Sequence, residues 1–288
     1  MNIVTITCPK HYEILKLQLE SIVKFVEKCT HWIVIHNKFL VEEELNACKK
    51  TINQYYSGTL HKVNILTLED FSSYKSYELI LNLNNGWERQ QALKLLISDK
   101  IKDNYLILDS ECFFIRKTNI KDWEKTIGCN VVVDFKNISG LSDIAAKELS
   151  NKYALYFNKK PLKVTLRSDV PFFIHKKIIS SVEDIDTLVS FFCKQNSFSE
   201  FLFYCYLIPE NILNILYKKI KPKYFHFWDE HQDKHITKNI TSILNNDTLV
   251  VSFQDEFITH ITKNSNLKSF LIMNYFLKTI GLTYQFKI

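Results

Sequence analysis

Along the first third of the chain, short apolar runs alternate with stretches of helical period. Residues 2–8 open with Ile3-Val4-Thr5-Ile6, a run that reads as a strand ended by Cys8-Pro9. From Tyr12 to Val26, Ile14, Leu15, Leu19, Ile22, Val23 and Val26 recur at helical spacing. Trp32-Ile33-Val34-Ile35 is a second buried strand, followed by His36-Asn37 and an acidic helix start at Glu42-Glu43-Glu44. Lys62 to Leu66 predicts a third strand, and Phe71 to Leu83, rich in Tyr and Ser and without a clear period, reads as a loop. Alternation of this kind points to a mostly parallel sheet covered by helices, whose ligands sit beyond the carboxyl ends of the strands.

The stretch around which the rest is organised is Gly86 to Ile115. Ala92, Leu93, Leu96 and Ile97 fall on one helix face, and Arg89, Gln90 and Lys94 supply polar groups elsewhere. Asp103-Asn104 breaks the period, and Tyr105-Leu106-Ile107-Leu108 is a short apolar run of the kind buried in a parallel sheet. It ends at Asp109-Ser110-Glu111, two carboxylates where a strand opens into a loop. Magnesium and manganese both prefer such hard oxygen ligands, and the pair could hold either ion against a diphosphate.

These residues carry a resemblance. The stretch resembles nucleotide-sugar glycosyltransferases of the GT-A fold, whose strand-end D-x-D motif binds metal and donor. It is more closely similar to a bacterial surface-polysaccharide group with W-x-x-Q-Q-x-x-K-L followed by Y-L-x-L-D-S-D. Trp87, Gln90, Gln91, Lys94 and Leu95 match the first part; Tyr105, Leu106, Leu108, Asp109 and Ser110 match the second, with Glu111 in place of the last Asp. The resemblance implies a GT-A-like, Rossmann-like α/β fold and a divalent cation, Mn2+ or Mg2+, at Asp109 and Glu111. It also implies a nucleotide-sugar donor and a glycan or lipid-linked glycan acceptor of capsule or lipopolysaccharide synthesis. Thr5, Thr7, His36 and Asn37, at the ends of the first two strands, then fall where base and ribose would bind, although strand-end and cap chemistry explains each equally well. Gln91 and Lys94 fall near the donor, with Lys94 placed to neutralise a phosphate. The 71–83 loop would lie over the donor site.

Beyond the acidic turn, Val131-Val132-Val133-Asp134 reads as a strand, Ile144 to Phe157 as a helix, and Pro171 to His175 as a strand toward the acceptor side. Ser199 can cap a helix with Glu200 in its first turn, where the helix dipole favours an ionised carboxylate. The resemblance continues there through S-E-F and implies for Glu200 an acceptor contact or the general base of an inverting transfer; ordinary first-turn chemistry suits it as well. We take residues 1–217 as the catalytic domain and 218–288 as a small extension packed on it. Within the extension, Lys218 to Lys223 is a basic run and His226 alternates with aromatics. His226 is a candidate third metal ligand, with burial as a structural histidine the alternative; His260 is an equally weak candidate. His231 and His235 have i, i+4 spacing but no further ligand nearby in the sequence. Residues 265–280 predict a closing amphipathic helix.

Composition narrows the field rather than redirecting it. In 288 residues, 46% are hydrophobic and 24% charged, with only five Gly and five Pro, which excludes a disordered or collagen-like chain. Seven cysteines, odd in number and without C-x-x-C spacing, argue for reduced thiols and against a zinc site or disulfide framework. No signal peptide or membrane span is legible, so a cytoplasmic location is expected. A net charge of +6 suits anionic donors or peripheral contact with anionic lipid headgroups at the inner face of a membrane, although most such charges solvate a surface. No nucleic-acid-binding motif is present. The alternative functions are a catalytically silent glycan-binding or scaffold protein, which the Glu111 departure permits, and a nucleotidyltransferase, for which residues 1–15 lack the glycine-rich basic signature.

Overall fold

The computed structural model describes residues 2–36, 41–83, 85–118, 132–134, 143–162, 164–166, 170–194, 199–209, 223–227, 235–254, 257–259 and 267–286. Its centre is a five-stranded sheet in the order β3-β2-β1-β4-β8. The strands are β1 (Asn2–Thr7), β2 (Thr30–Ile35), β3 (Lys62–Thr67), β4 (Tyr105–Asp109) and β8 (Phe172–Ile174). The first four run parallel, and β8 closes the edge antiparallel to β4. Ile3, Val4, Ile6, Ile33, Val34, Leu106, Ile107 and Leu108 are all fully buried. Continuous apolar runs are what strands covered on both faces require. The mixed α/β architecture with a mostly parallel, helix-flanked sheet is therefore as the periodicity predicts.

Chain order places the switch of the sheet between β1 and β4. From β1 the chain moves outward to β2 and β3, then jumps back past β1 to form β4. Right-handed crossovers put the helices of the two excursions on opposite faces. Helix α1 (Tyr12–Phe25) and helix α2 (Glu42–Tyr56) belong to the first, and α4 (Gly86–Leu96) precedes β4. At such a reversal the loops diverge and leave a crevice at the carboxyl ends of the strands.

The region read as a loop contains a helix, α3 (Tyr77–Asn82). Its entry is fixed from far along the chain: Asp186 accepts from the Lys75 and Ser76 amides at 2.6 and 2.9 Å and from the Ser76 hydroxyl. Arg89 then donates to the Ile80 and Leu83 carbonyls, tying α3 to α4. Local periodicity carries no trace of these partners.

Just past β4, β5 (Cys112–Phe114) joins a second sheet in the order β5-β10-β9, with β10 (Val250–Phe253) antiparallel to β5 and parallel to β9 (Tyr224–Phe227). Phe113, Phe227, Phe253 and Phe257 pack ring against ring beneath it, with centroids 4.8–5.9 Å apart. β6 (Val132–Asp134) and β7 (Val164–Leu166) pair antiparallel, and α5 (Asp143–Tyr156) lies between them in sequence. Helices α6 (Lys176–Ile179), α7 (Ile185–Cys193) and α8 (Glu200–Leu207) follow β8, and helices at Ile236–Asn245 and Leu267–Thr279 complete the described chain. No described helix is long and apolar enough to cross a membrane. Asn37, His231, His260 and the basic run up to residue 222 lie outside the described residues.

Candidate functional site

The Asp109-Ser110-Glu111 turn stands at the carboxyl end of β4, beside the switch point. Its backbone is held on all sides. Gln18 of α1 donates to the carbonyls of Asp109 and Cys112 at 2.6 and 2.9 Å. Ser21, one turn on, accepts from the Phe114 amide, and the Phe253 amide donates to the Glu111 carbonyl. Ser110 is fully buried and donates to the Thr7 hydroxyl at 2.9 Å. The turn thus spends its backbone and its serine on the scaffold, and Asp109 is the more open of its two carboxylates, with 22% of its side chain exposed against 8% of Glu111 overall.

Asp109 shares a cation with Glu200. Lys94 Nζ lies 2.9 Å from Asp109 Oδ1 and 3.1 Å from Glu200 Oε1, inside a site where Lys94 and Glu200 are 2% and 1% exposed. The Gln91 amide, turned with its nitrogen toward Glu200, donates to Oε1 at 2.8 Å and also lies against Oε2. The ammonium also sits 5.2 Å from the Phe201 ring centre, and Phe201 stacks on Phe172 at 4.1 Å. Burial pulls the Lys94 ammonium down, but the two carboxylates outweigh it and hold it protonated above the ordinary lysine value. Burial raises Glu200, against the opposing pull of Lys94. The first-turn position was expected to lower the Glu200 pKa, and burial raises it instead. Glu200, the candidate base, is enclosed and engaged by Lys94 and Gln91.

Helix α4 supplies this cluster because it is buried nearly all round. Arg89, Gln91 and Lys94 are buried together with Ala92, Leu93, Leu95 and Leu96. Gln90 instead docks the helix to the sheet by donating to the Ile6 carbonyl at 3.0 Å. An isolated Q-Q-x-x-K is ordinarily a solvated helix face. The structure turns those groups inward, toward partners on β1, β4 and α8.

The expected nucleoside contacts separate. Thr7, with Cys8, Pro9, Tyr12, Ile35, Glu44, Ala47 and Cys48, lines a pocket of about 260 Å³ at the ends of β1 and β2. Thr5 does not reach it. Thr5 is fully buried and bonded to Gln18 and His31, because it lies in the middle of β1 facing α1. His36 is buried, and its amide donates to the Thr7 carbonyl at 2.8 Å. Burial, followed by the nearby charges of Arg89, His11 and Lys94, lowers the His36 imidazole to about 4. Burial thus favours the neutral His36 ring, which does not line this pocket.

His226 is buried on β9, in register with Ser252 and through it with Cys112. Two strand spacings, roughly 9–10 Å, therefore separate it at Cα from the edge of the acidic turn. Among the described residues no three His, Cys, Asp or Glu side chains are grouped to hold a metal ion. What the turn provides is a pair of carboxylates, the donor set that magnesium commonly uses when substrate phosphates complete its shell.

Residues 8–218 match the model of a family described as a family of unknown function, DUF6492. The chain belongs to that family. The matched span of this DUF6492 chain holds the acidic turn, α4 and α8, and ends before β9 and β10. Among curated proteins, none matches it in sequence. Solved structures similar to it include the galactosyltransferase LgtC in complex with donor and acceptor sugar analogues, at 15% identity and a TM-score of 0.47, covering 98% of this chain and 96% of that one. Mouse xyloside xylosyltransferase 1 is similar at 9% identity and a TM-score of 0.48, covering 88% and 97%. The glycosyltransferase GlyE of Streptococcus pneumoniae TIGR4 is similar at 13% identity and 0.42, covering 100% and 66%.

Two site residues escaped the sequence reading. Gln18 sits in a helix whose apolar period is complete without it, and Tyr153 lies in the helix read over 144–157. The Tyr153 hydroxyl accepts from the Ser199 amide and donates to the Ser199 carbonyl, at 2.9 and 3.1 Å. It thereby fixes the start of α8 and the position of Glu200. A polar residue inside an apolar period is the available signal for Gln18; none exists for Tyr153.

Proposed function

We propose that this DUF6492 chain is a glycosyltransferase that moves a sugar from a nucleotide-diphosphate donor to a glycan acceptor. The observation that carries the reading is the junction at Thr7, which lines the pocket and also receives the hydroxyl of Ser110 from the acidic turn. One ligand can therefore span an apolar pocket and a pair of carboxylates at the switch point of the sheet. The pocket is smaller than the ~300–1,000 Å³ typical of sites for drug-sized ligands, so it suits one end of the donor, the nucleoside. Pro9, Tyr12, Ile35 and Ala47 offer apolar walls, and the Glu44 carboxylate can accept from ribose hydroxyls.

A diphosphate beside Asp109 and Glu111 meets charge of its own sign. Those two carboxylates fit a magnesium or manganese ion shared with the phosphates. When bound, such an ion supplies electrostatic stabilisation of the leaving diphosphate. The chain's residues provide the rest. Lys94 fixes the rotamer of Asp109 and adds a buried positive charge, Glu200, itself bonded by Gln91, holds Lys94 in place, and Ser110 joins the turn to the pocket wall. The motif resemblance extends the reading to the assembly of bacterial surface glycans, with a lipid-linked glycan as one acceptor class.

Calorimetric titration of UDP, GDP, ADP and CDP, in MnCl2 and again in chelator, tests this reading. At least one diphosphate binds in manganese, and chelation or Asp109→Asn weakens it at least about tenfold, the scale of one lost charge-assisted contact. Failure of all four to bind would sink the proposal.

A further inference from the structure

A buried chain of polar groups runs from the far end of α2 to the acidic turn. The Tyr56 hydroxyl lies 2.6 Å from His31 Nδ1, and His31 Nε2 lies 2.9 Å from the Thr5 hydroxyl. Thr5 donates to Gln18 Oε1 at 2.8 Å, and Gln18 Nε2 donates to the carbonyls of Asp109 and Cys112. His31, Thr5 and Gln18 are fully buried and Tyr56 is nearly so. Every direction along this chain is determined. The two carbonyls require the Gln18 nitrogen, so its oxygen must accept from Thr5. The Thr5 proton is then spent, and His31 must donate to Thr5 from Nε2. That tautomer leaves Nδ1 to accept from Tyr56. The arrangement needs a neutral ring, which the burial of His31 favours.

We propose that Gln18 is a positioning residue for the acidic turn, and that the Thr5–His31–Tyr56 relay fixes its amide. Its two N–H bonds fall on the residues that flank Ser110-Glu111, so one side chain sets both ends of the loop that presents the carboxylates. The inference rests on the proposed donor site in one respect: the positioned carboxylates act on the diphosphate half of the donor. A residue that merely fills the core would affect the nucleoside and diphosphate halves alike.

The test compares wild type with Gln18→Met, which keeps length and removes both donors, and with Thr5→Val, which removes the orienting hydroxyl at similar volume. Hydrogen exchange is followed across residues 109–114, and affinities are measured for UDP, GDP, ADP and CDP with MnCl2 and for the matching nucleosides. Gln18→Met should speed exchange at 109–114 about tenfold relative to β2 and β3, as expected for two lost hydrogen bonds of ordinary strength. It should weaken the bound diphosphate by a similar factor and change the nucleoside less than about twofold. Thr5→Val should act in the same direction at about threefold, and it decides the matter if Gln18→Met does not fold. Unchanged exchange at 109–114, or equal acceleration throughout the sheet, would overturn the proposal, as would equal losses for nucleoside and diphosphate. If wild type binds none of the four diphosphates, the glycosyltransferase reading fails, and exchange alone decides the role of Gln18.

Discussion

Lys94 is a cation held between two carboxylates, one of them also bonded by the Gln91 amide, where water scarcely reaches. Removing the charge in Lys94→Met leaves Glu200 buried and unpaired, so stability should fall by about 3–5 kcal/mol in urea titrations. Glu200→Gln leaves the Lys94–Asp109 pair intact and should cost less, and the double variant should recover part of the loss, because the uncompensated charge is gone. The kinetics of Glu200→Gln separate positioning from base catalysis. A general base contributes about 10²–10⁴-fold to kcat. A residue that only holds Lys94 should raise the donor KM and leave kcat within about tenfold of wild type, short of the ~10²-fold that is the lower edge of what loss of a base would cost. The residue types and the spacing of this cluster were legible, since Gln91, Lys94, Asp109 and Glu200 were all candidates from sequence. Its burial was not, because the partners come from α4, β4 and α8, and no local period shows that a lysine and a glutamate face each other.

At the same scale, His31 and His36 set a pH dependence. Burial lowers them to about 3 and about 4, below the ordinary histidine value near 6.5. The unfolded chain takes up protons that the folded rings refuse. Their contribution is therefore complete above pH 6.5 and is lost as the pH falls from there toward 4 and 3. Each adds a slope of up to about 1.4 kcal/mol per pH unit in that window. Urea midpoints measured from pH 7 to 4.5 should fall more steeply for wild type than for His36→Gln; parallel curves would remove His36 from the account.

Among the elements, the strands were the most legible, because burial on both faces demands unbroken apolar runs such as Tyr105–Leu108. Helix α1 declared itself by period alone. Helix α3 was missed because its entry depends on Asp186 and its end on Arg89, both remote or outside its own pattern. The start of α8 was read from Ser199, whose hydroxyl accepts from the Leu202 amide at 3.4 Å. The long bond makes it a modest cap, and Tyr153 supplies the firmer anchor. Ser199→Ala should cost no more than about 1 kcal/mol. Tyr153→Phe, which leaves the Ser199 amide unsatisfied in the core while its carbonyl keeps the Phe203 amide, should cost about 1–3 kcal/mol. Chemical denaturation of the two variants side by side checks the order; a costlier Ser199→Ala would reverse it.

At the scale of the molecule, the sheet order made the site legible in outline. Once strands reverse between β1 and β4, a ligand crevice at their carboxyl ends follows from topology, and both Thr7 and Asp109 stand there. The way later segments reinforce it could not be read in advance. Pairing of β5 with β10 brings residues 250–253 against the far side of the acidic turn, a contact set by register between strands more than a hundred residues apart. Thr5 likewise shows how one strand position decides a role, since it shares the face of β1 turned toward α1 but lies two residues short of the pocket.

The central claim is that the acidic turn works on the diphosphate of a sugar donor. Its most direct test is release of nucleoside diphosphate from a panel of UDP-, GDP- and ADP-sugars in manganese, with Asp109→Asn run beside wild type. The account predicts turnover of at least one donor by the wild type and a loss of about a hundredfold or more in the variant, the scale on which preorganised electrostatic groups act. Release from no donor, or equal release by both proteins, would contradict it.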